Sequence, residues 1–151
     1  MHRIHHIGDP IWRELAGEVF ANPDSQIDAY DVYVDDSVAI QNEIDAFFQS
    51  DYEILIIHSL LVDHNAHKTS SSSLSTPDIY SSLLQFNKHL SSILHQIQND
   101  TLLLVFGDHG LSALGNHGGA TEEEVTTGLC VYSPNRSLRP FTVALCLFCD
   151  V

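Results

Sequence analysis

Two short apolar runs, each followed within a few residues by an aspartate and a histidine, constrain this chain more than any other feature. Tyr52-Glu53-Ile54-Leu55-Ile56-Ile57 precedes Val62-Asp63-His64-Asn65-Ala66-His67, and Thr101-Leu102-Leu103-Leu104-Val105-Phe106 precedes Gly107-Asp108-His109-Gly110. Runs of this length and composition read as buried strands. Between them, Thr76, Pro77 and Asp78 open a helix that carries Ile79, Leu83, Phe86, Leu90, Ile93, Leu94 and Ile97 at helical spacing. Strand, helix, strand predicts a parallel α/β sheet. An earlier helix, capped by Asp36 or Ser37, carries Val38, Ile40, Ile44, Phe47 and Phe48, and Gly128–Tyr132 reads as a third strand. The serines from Ser70 to Ser73 form a surface loop between the two apolar units. Phe141–Val151 fits either a further strand or a segment leading elsewhere.

The carboxyl ends of strands in an open α/β sheet form the edge where ligands bind, so Asp63 and Asp108 are expected to project into one crevice. Asp63 and His67 are four residues apart, which places an oxygen and a nitrogen on one face of a turn. Glycines on either side of Asp108-His109 make a sharp turn from which both can point forward. His117 lies in a second glycine-rich turn, Gly115-Asn116-His117-Gly118-Gly119. A single Asp or His at a strand end is ordinarily a cap or a hydrogen-bonded loop residue. Five in this arrangement point instead to a divalent-metal site. His58, His64, His89 and His95 keep the ordinary reading, with His89 and His95 expected on the solvent face of their helix. His2, His5 and His6 lie in a segment too short to interpret. Glu122, Glu123 and Glu124 read as a solvated helix start favoured by the macrodipole, not as ligands.

Composition agrees with a metal site and excludes other classes. The chain has 151 residues, 44% hydrophobic and 17% charged, about one ordinary domain with a core. Six Lys and Arg against 20 Asp and Glu give a formal net charge of −14, so no basic stripe is present and nucleic acid is not an expected partner. Ten histidines in so acidic a chain supply the imidazole and carboxylate donors zinc takes. No apolar run reaches the length of a membrane span, and the segment by itself is expected to be soluble. Cys130, Cys146 and Cys149 are odd in number, and the Cys146/Cys149 pair lacks the second pair a structural zinc site needs.

At these residues the chain resembles the GPI ethanolamine phosphate transferases of the alkaline phosphatase superfamily, in which VDHxxHK, GDHG and GxHGG occur in this order. The third-transferase type is nearest: Asn99–Val105, Glu124-Val125 and Tyr132-Ser133-Pro134 also match it, so the likeness covers residues 51 to 135. Residues 8 to 48 match more weakly, through Gly8-Asp9 and Trp12, with Pro10 in place of the family's second Asp. Ala66, Leu111 and Ser112 depart from the common residues without touching the ligands.

The resemblance implies a partial alkaline-phosphatase-like domain over residues 1 to 151, a mostly parallel sheet flanked by helices, with 136 to 151 outside the match. It implies two zinc ions, the first held by Asp63, His67 and His117, the second by Asp108 and His109. The family completes the second site with a further Asp and a nucleophilic Thr, both expected upstream of Met1, so the chain alone is expected to lack turnover. In the whole enzyme, phosphoethanolamine would pass from phosphatidylethanolamine to a mannose of the GPI-anchor precursor. That protein is expected in the endoplasmic reticulum membrane, its catalytic domain luminal, with a small membrane partner subunit. The tripeptides Asn99-Asp100-Thr101 and Asn135-Arg136-Ser137 fit the glycosylation pattern of that compartment. Two other readings stay open: another phosphodiesterase or pyrophosphatase of the superfamily, and a catalytically inactive metal-binding fragment.

Overall fold

The computed structural model describes residues 3–8, 26–30 and 37–134. Strand β1 (Arg3–Ile7) is the centre of a three-stranded sheet, with β2 (Gln26–Tyr30) on one side and β3 (Ile54–Ile57) on the other, both parallel to it. Ile4 to Ile7 are all buried, as a strand covered on both faces requires, and His5 and His6 share that burial. His5 meets Glu43 of helix α1 (Ser37–Phe48) at 3.2 Å and lies edge-on to Tyr52. The segment too short to interpret by itself is therefore the middle of the sheet, because strand pairing and not local pattern buries it.

Helix α2 (Leu61–Thr69) follows β3 directly, and helix α3 (Pro77–Gln96) starts after Thr76 with Pro at its head, as its sequence predicts. The core joins Ile7 of β1, Ile44 of α1 and Ile93 of α3, with Ile40, Phe48, Leu55, Ile57, Ile97 and Leu103 packed around them. Each fully buried isoleucine contributes about 1.5–3 kcal/mol of transfer free energy. Polar clasps fix the helices: Gln41 of α1 donates to Ser92 of α3 at 2.7 Å, and Asn65 of α2 donates to the buried Ser82 of α3 at 2.8 Å. No helix among the described residues is long and apolar enough to cross a membrane.

Three expectations change here. The parallel ladders join β1, β2 and β3, whereas β4 (Leu103–Phe106) pairs antiparallel with β5 (Leu129–Tyr132). A strand-helix-strand spacing places two strands against one helix, but it does not require a shared ladder. Next, β4 is buried on one face only: Leu103 packs on the core while Leu104 and Phe106 are exposed. Finally, His89 is 8% exposed, on the inner side of α3, while His95 is exposed and within 2.6 Å of the Ser91 carbonyl. Trp12, the Asn135 tripeptide, Cys146, Cys149 and Phe141–Val151 lie outside the described residues. Asn99 is in an exposed turn before β4, and Cys130 is an exposed free thiol on β5.

Candidate metal centre

The chain turns into α2 four residues after β3 ends, which puts Asp63 in the first helical turn and His67 one turn on. His67 Nε2 lies 3.4 Å from Asp63 Oδ1. Between them Ala66 is fully buried, and its carbonyl is the floor on which Gly115 rests. A Cβ at Gly115 would lie 2.4 Å from that oxygen, and its φ of +73° is one that L side chains rarely adopt. That close approach brings the second glycine turn across α2, and His117 Nε2 also comes within 3.4 Å of Asp63 Oδ1.

Past β4, Gly107 N–H donates to the Gly128 carbonyl and Gly110 N–H to the Glu124 carbonyl at 2.8 Å. A Cβ at Gly110 would be 2.1 Å from the Glu123 carbonyl, so the glycine is required by the close approach of helix α4 (Glu122–Val125). His109 is held between these contacts, its Nδ1 3.0 Å from the Gly110 carbonyl. The carbonyl can only accept, so this contact suits the tautomer with hydrogen on Nδ1, in which Nε2, 3.9 Å from Asp108 Oδ1, carries the lone pair a metal takes. The His109 ring stacks on His117 at 4.0 Å, and His117 lies 4.9 Å from His67.

The structure thus gathers four of the five expected residues. Asp63, His109 and His117 each offer a ligand atom within 4.8 Å of the other two, and His67 adds a third imidazole at the same carboxylate oxygen. Asp108 stands outside this group, largely exposed. Its Oδ1 accepts the His109 N–H at 3.1 Å, and its Oδ2 lies 3.8 Å from His58 Nε2. The sequence alone gives His58 the character of an ordinary loop residue, yet its position directly after β3 parallels that of Gly107-Asp108 after β4, a signal the sequence carries. Gly8, at the end of β1 with φ +135°, packs so closely on His58 that a Cβ there would be 2.4 Å from its carbonyl.

The chemistry of the donor set fits a divalent ion. Asp63 Oδ1 is buried and accepts no hydrogen bond, although two imidazole nitrogens face it. A buried carboxylate oxygen without a donor carries a desolvation cost that a cation in the same space offsets. Imidazole nitrogens converging on a carboxylate oxygen form a zinc-type donor set. Glu124, expected to be merely solvated, is engaged instead: its carboxylate accepts the Thr121 hydroxyl and the N–H groups of Thr121 and Gly119. The Thr121 hydroxyl holds the Glu124 carboxyl below its ordinary value; the two backbone N–H groups and the charge of His117 add to this, and desolvation opposes it.

Comparison with characterised proteins gives these residues a context. The chain is 32% identical over 134 residues to the mouse protein named GPI ethanolamine phosphate transferase 3, catalytic subunit, covering 87% of this chain and 12% of that protein. The human counterpart is 31% identical over the same length. GPI ethanolamine phosphate transferase 2 of Eremothecium gossypii is 30% identical over 143 residues, 91% of this chain and 17% of the relative. No family model matches the chain, and no solved structure does. The chain spans less than a fifth of the length of these relatives. Over nearly nine-tenths of its own length, the chain is a homologue of a segment of the GPI ethanolamine phosphate transferases of types 2 and 3.

Proposed function

We propose that residues 51 to 135 are the zinc-holding part of a transferase domain of alkaline-phosphatase type that moves phosphoethanolamine onto the GPI-anchor precursor. The observation that carries the reading is the buried, donor-free Asp63 Oδ1 faced by His67 and His117 at 3.4 Å each. Asp63, His67 and His117 hold one zinc ion, and Asp108 with His109 contributes to a second. Zinc ions so placed lower the pKa of an attacking hydroxyl and neutralise oxygens of an in-line displacement at phosphorus.

What the chain's own residues do is position and charge-balance. Asp63 offers a carboxylate from a half-buried helix turn, and the Gly110 carbonyl, facing His109 Nδ1, orients that ring. Asp108 is aimed by the His109 backbone N–H and lies at the exposed side, where a substrate phosphate would approach. None of the five is a hydroxyl, so none of them is the attacking group. The donor in this reading is phosphatidylethanolamine and the acceptor a mannose hydroxyl. The setting is the luminal side of the endoplasmic reticulum membrane, with a small membrane subunit as partner of the whole protein.

Titration of the purified chain with zinc tests the reading. Binding is expected, and Asp63→Ala or His117→Ala is expected to weaken it by more than the roughly 10–100-fold that loss of a merely orienting partner costs. Absent binding, or binding that ignores both substitutions, contradicts it. For the zinc-loaded chain, stronger competition by glycerophosphoethanolamine than by a nitrophenyl phosphodiester favours the lipid donor; the reverse order favours another phosphodiesterase of the superfamily.

A further inference from the structure

His109 and His117 come from turns with no regular structure of their own, and the two turns share one anchor. Glu124 is the third residue of α4. Its carboxylate Oε1 accepts the Gly119 N–H at 3.3 Å, two residues beyond His117. Its Oε2 accepts the Thr121 N–H at 3.3 Å and the Thr121 hydroxyl at 2.5 Å, a reciprocal cap that fixes the start of the short helix. Its backbone carbonyl accepts the Gly110 N–H at 2.8 Å, immediately after His109. The fit is close on both sides: a Cβ at Gly119 would lie 2.5 Å from Glu124 Oε2, and one at Gly110 would lie 2.1 Å from the Glu123 carbonyl.

We infer that Glu124 is a positioning residue of the metal centre, clamping the His109 turn through its carbonyl and the His117 turn through its carboxylate. The inference rests on the zinc reading proposed above. Glu124 does not touch the ion. Its carboxylate holds the glycine turn and caps the helix, and the capped helix presents the carbonyl that holds the other turn. The stacking of His109 on His117 at 4.0 Å, and so the separation of their Nε2 atoms, follows from that shared anchor.

The test uses the 151-residue chain with Glu124→Ala, Glu124→Gln and Glu122→Ala, the last an exposed neighbour on the same helix. Zinc affinity is measured by competition with a chromophoric chelator, and ligand geometry by the visible absorption of bound Co²⁺. Glu124→Ala is expected to lose about 10–100-fold in zinc affinity and to change the Co²⁺ spectrum. Glu124→Gln removes the charge but keeps an acceptor oxygen that serves in such caps, and is expected to recover most of the affinity and the wild-type spectrum. Glu122→Ala is expected to change neither. Wild-type affinity in Glu124→Ala overturns the inference, and so does a loss in Glu124→Gln as large as in Glu124→Ala, which would mean long-range charge and not positioning. Amide hydrogen exchange without metal provides an independent arm. Protection at Gly110 and Gly119 is expected to fall in Glu124→Ala, and unchanged protection overturns the clamp. A wild-type chain that binds no zinc overturns the zinc reading instead, and the exchange arm then decides whether the clamp exists.

Discussion

Asp63 and His67 ride one turn of α2, whereas His109 and His117 are carried by two glycine turns that α4 ties down. In the helical half, the spacing of four residues alone brings oxygen and nitrogen together, and the helix needs only to form and dock. In the turn half local bonds close the turn from Ser112 to Asn116, but they do not bring the two histidines together. That depends on close backbone approaches at Gly110 and Gly115 that leave no space for a side chain, and on the Glu124 carboxylate packed against Gly119. The halves meet where Gly115 rests on the Ala66 carbonyl and where His117 faces Asp63 and His67. Its ligands apart, a site assembled this way should tolerate changes within the helix better than changes in the turns or at their junction.

The largest effect is expected at Asp63, the residue to which both halves point. Asp63→Asn keeps the helix and its volume but removes the anionic ligand, and should abolish measurable zinc binding in a chelator competition while leaving the far-ultraviolet circular dichroism unchanged. Retained affinity in that variant would mean that the turn half binds metal by itself.

The junction comes next. Gly115→Ala forces a side chain onto a φ of +73° and against the Ala66 carbonyl, and should cost about 1–3 kcal/mol in denaturant unfolding. Its zinc affinity should fall as well, because His117 moves with the turn. Ala66→Gly, on the helical side of the same contact, should cost about 1 kcal/mol through helix propensity and about 0.8 kcal/mol more for the buried methyl, and leave zinc affinity close to wild type. Equal zinc losses in the two variants would erase the distinction between the halves.

The contrast also explains what was legible in the sequence. The Asp63 and His67 pair, the α3 start at Thr76-Pro77 and the apolar face of that helix are local patterns, and the structure has them where the sequence places them. The mixed α/β class was legible for the same reason. The antiparallel pairing of β4 with β5 was not, because pairing partners are chosen by tertiary contacts and not by an apolar run. His5 and His6 could not be interpreted because their burial comes from being in the central strand. Glu124 reads from the sequence as one of three solvated acids; the bonds from the Thr121 hydroxyl and the Gly119 and Thr121 N–H groups set it apart from Glu122 and Glu123. The part His58 plays is not legible locally because its partner, Asp108, is 50 residues away along the chain.

A smaller effect separates the halves by pH in the metal-free chain. The folded Glu124 carboxyl titrates below its ordinary value, so its contribution to stability is present above the unfolded carboxyl's pKa and is lost as pH falls through the lower, folded one. Thermal melting of wild type against Glu124→Gln should therefore differ above the ordinary value of 4.5 and converge in more acidic solution. A difference that persists unchanged to strong acid would remove the carboxylate from the account. The smallest effect is expected at the exposed Lys68 and Asp78 pair, 3.7 Å apart on α2 and α3: Lys68→Ala should change unfolding free energy by less than about 1 kcal/mol.

The central claim is that Asp63 and His67 of α2 and His117 of the second glycine turn hold a divalent ion together. Absorption of the Co²⁺-loaded chain tests it most directly, because the visible bands report coordination geometry and a thiolate ligand adds intense near-ultraviolet charge transfer. The account predicts a visible spectrum of nitrogen and oxygen ligation, free of thiolate bands and lost in both Asp63→Asn and His117→Ala. Thiolate bands, or a spectrum indifferent to both substitutions, would place the metal on Cys130 or elsewhere and contradict it.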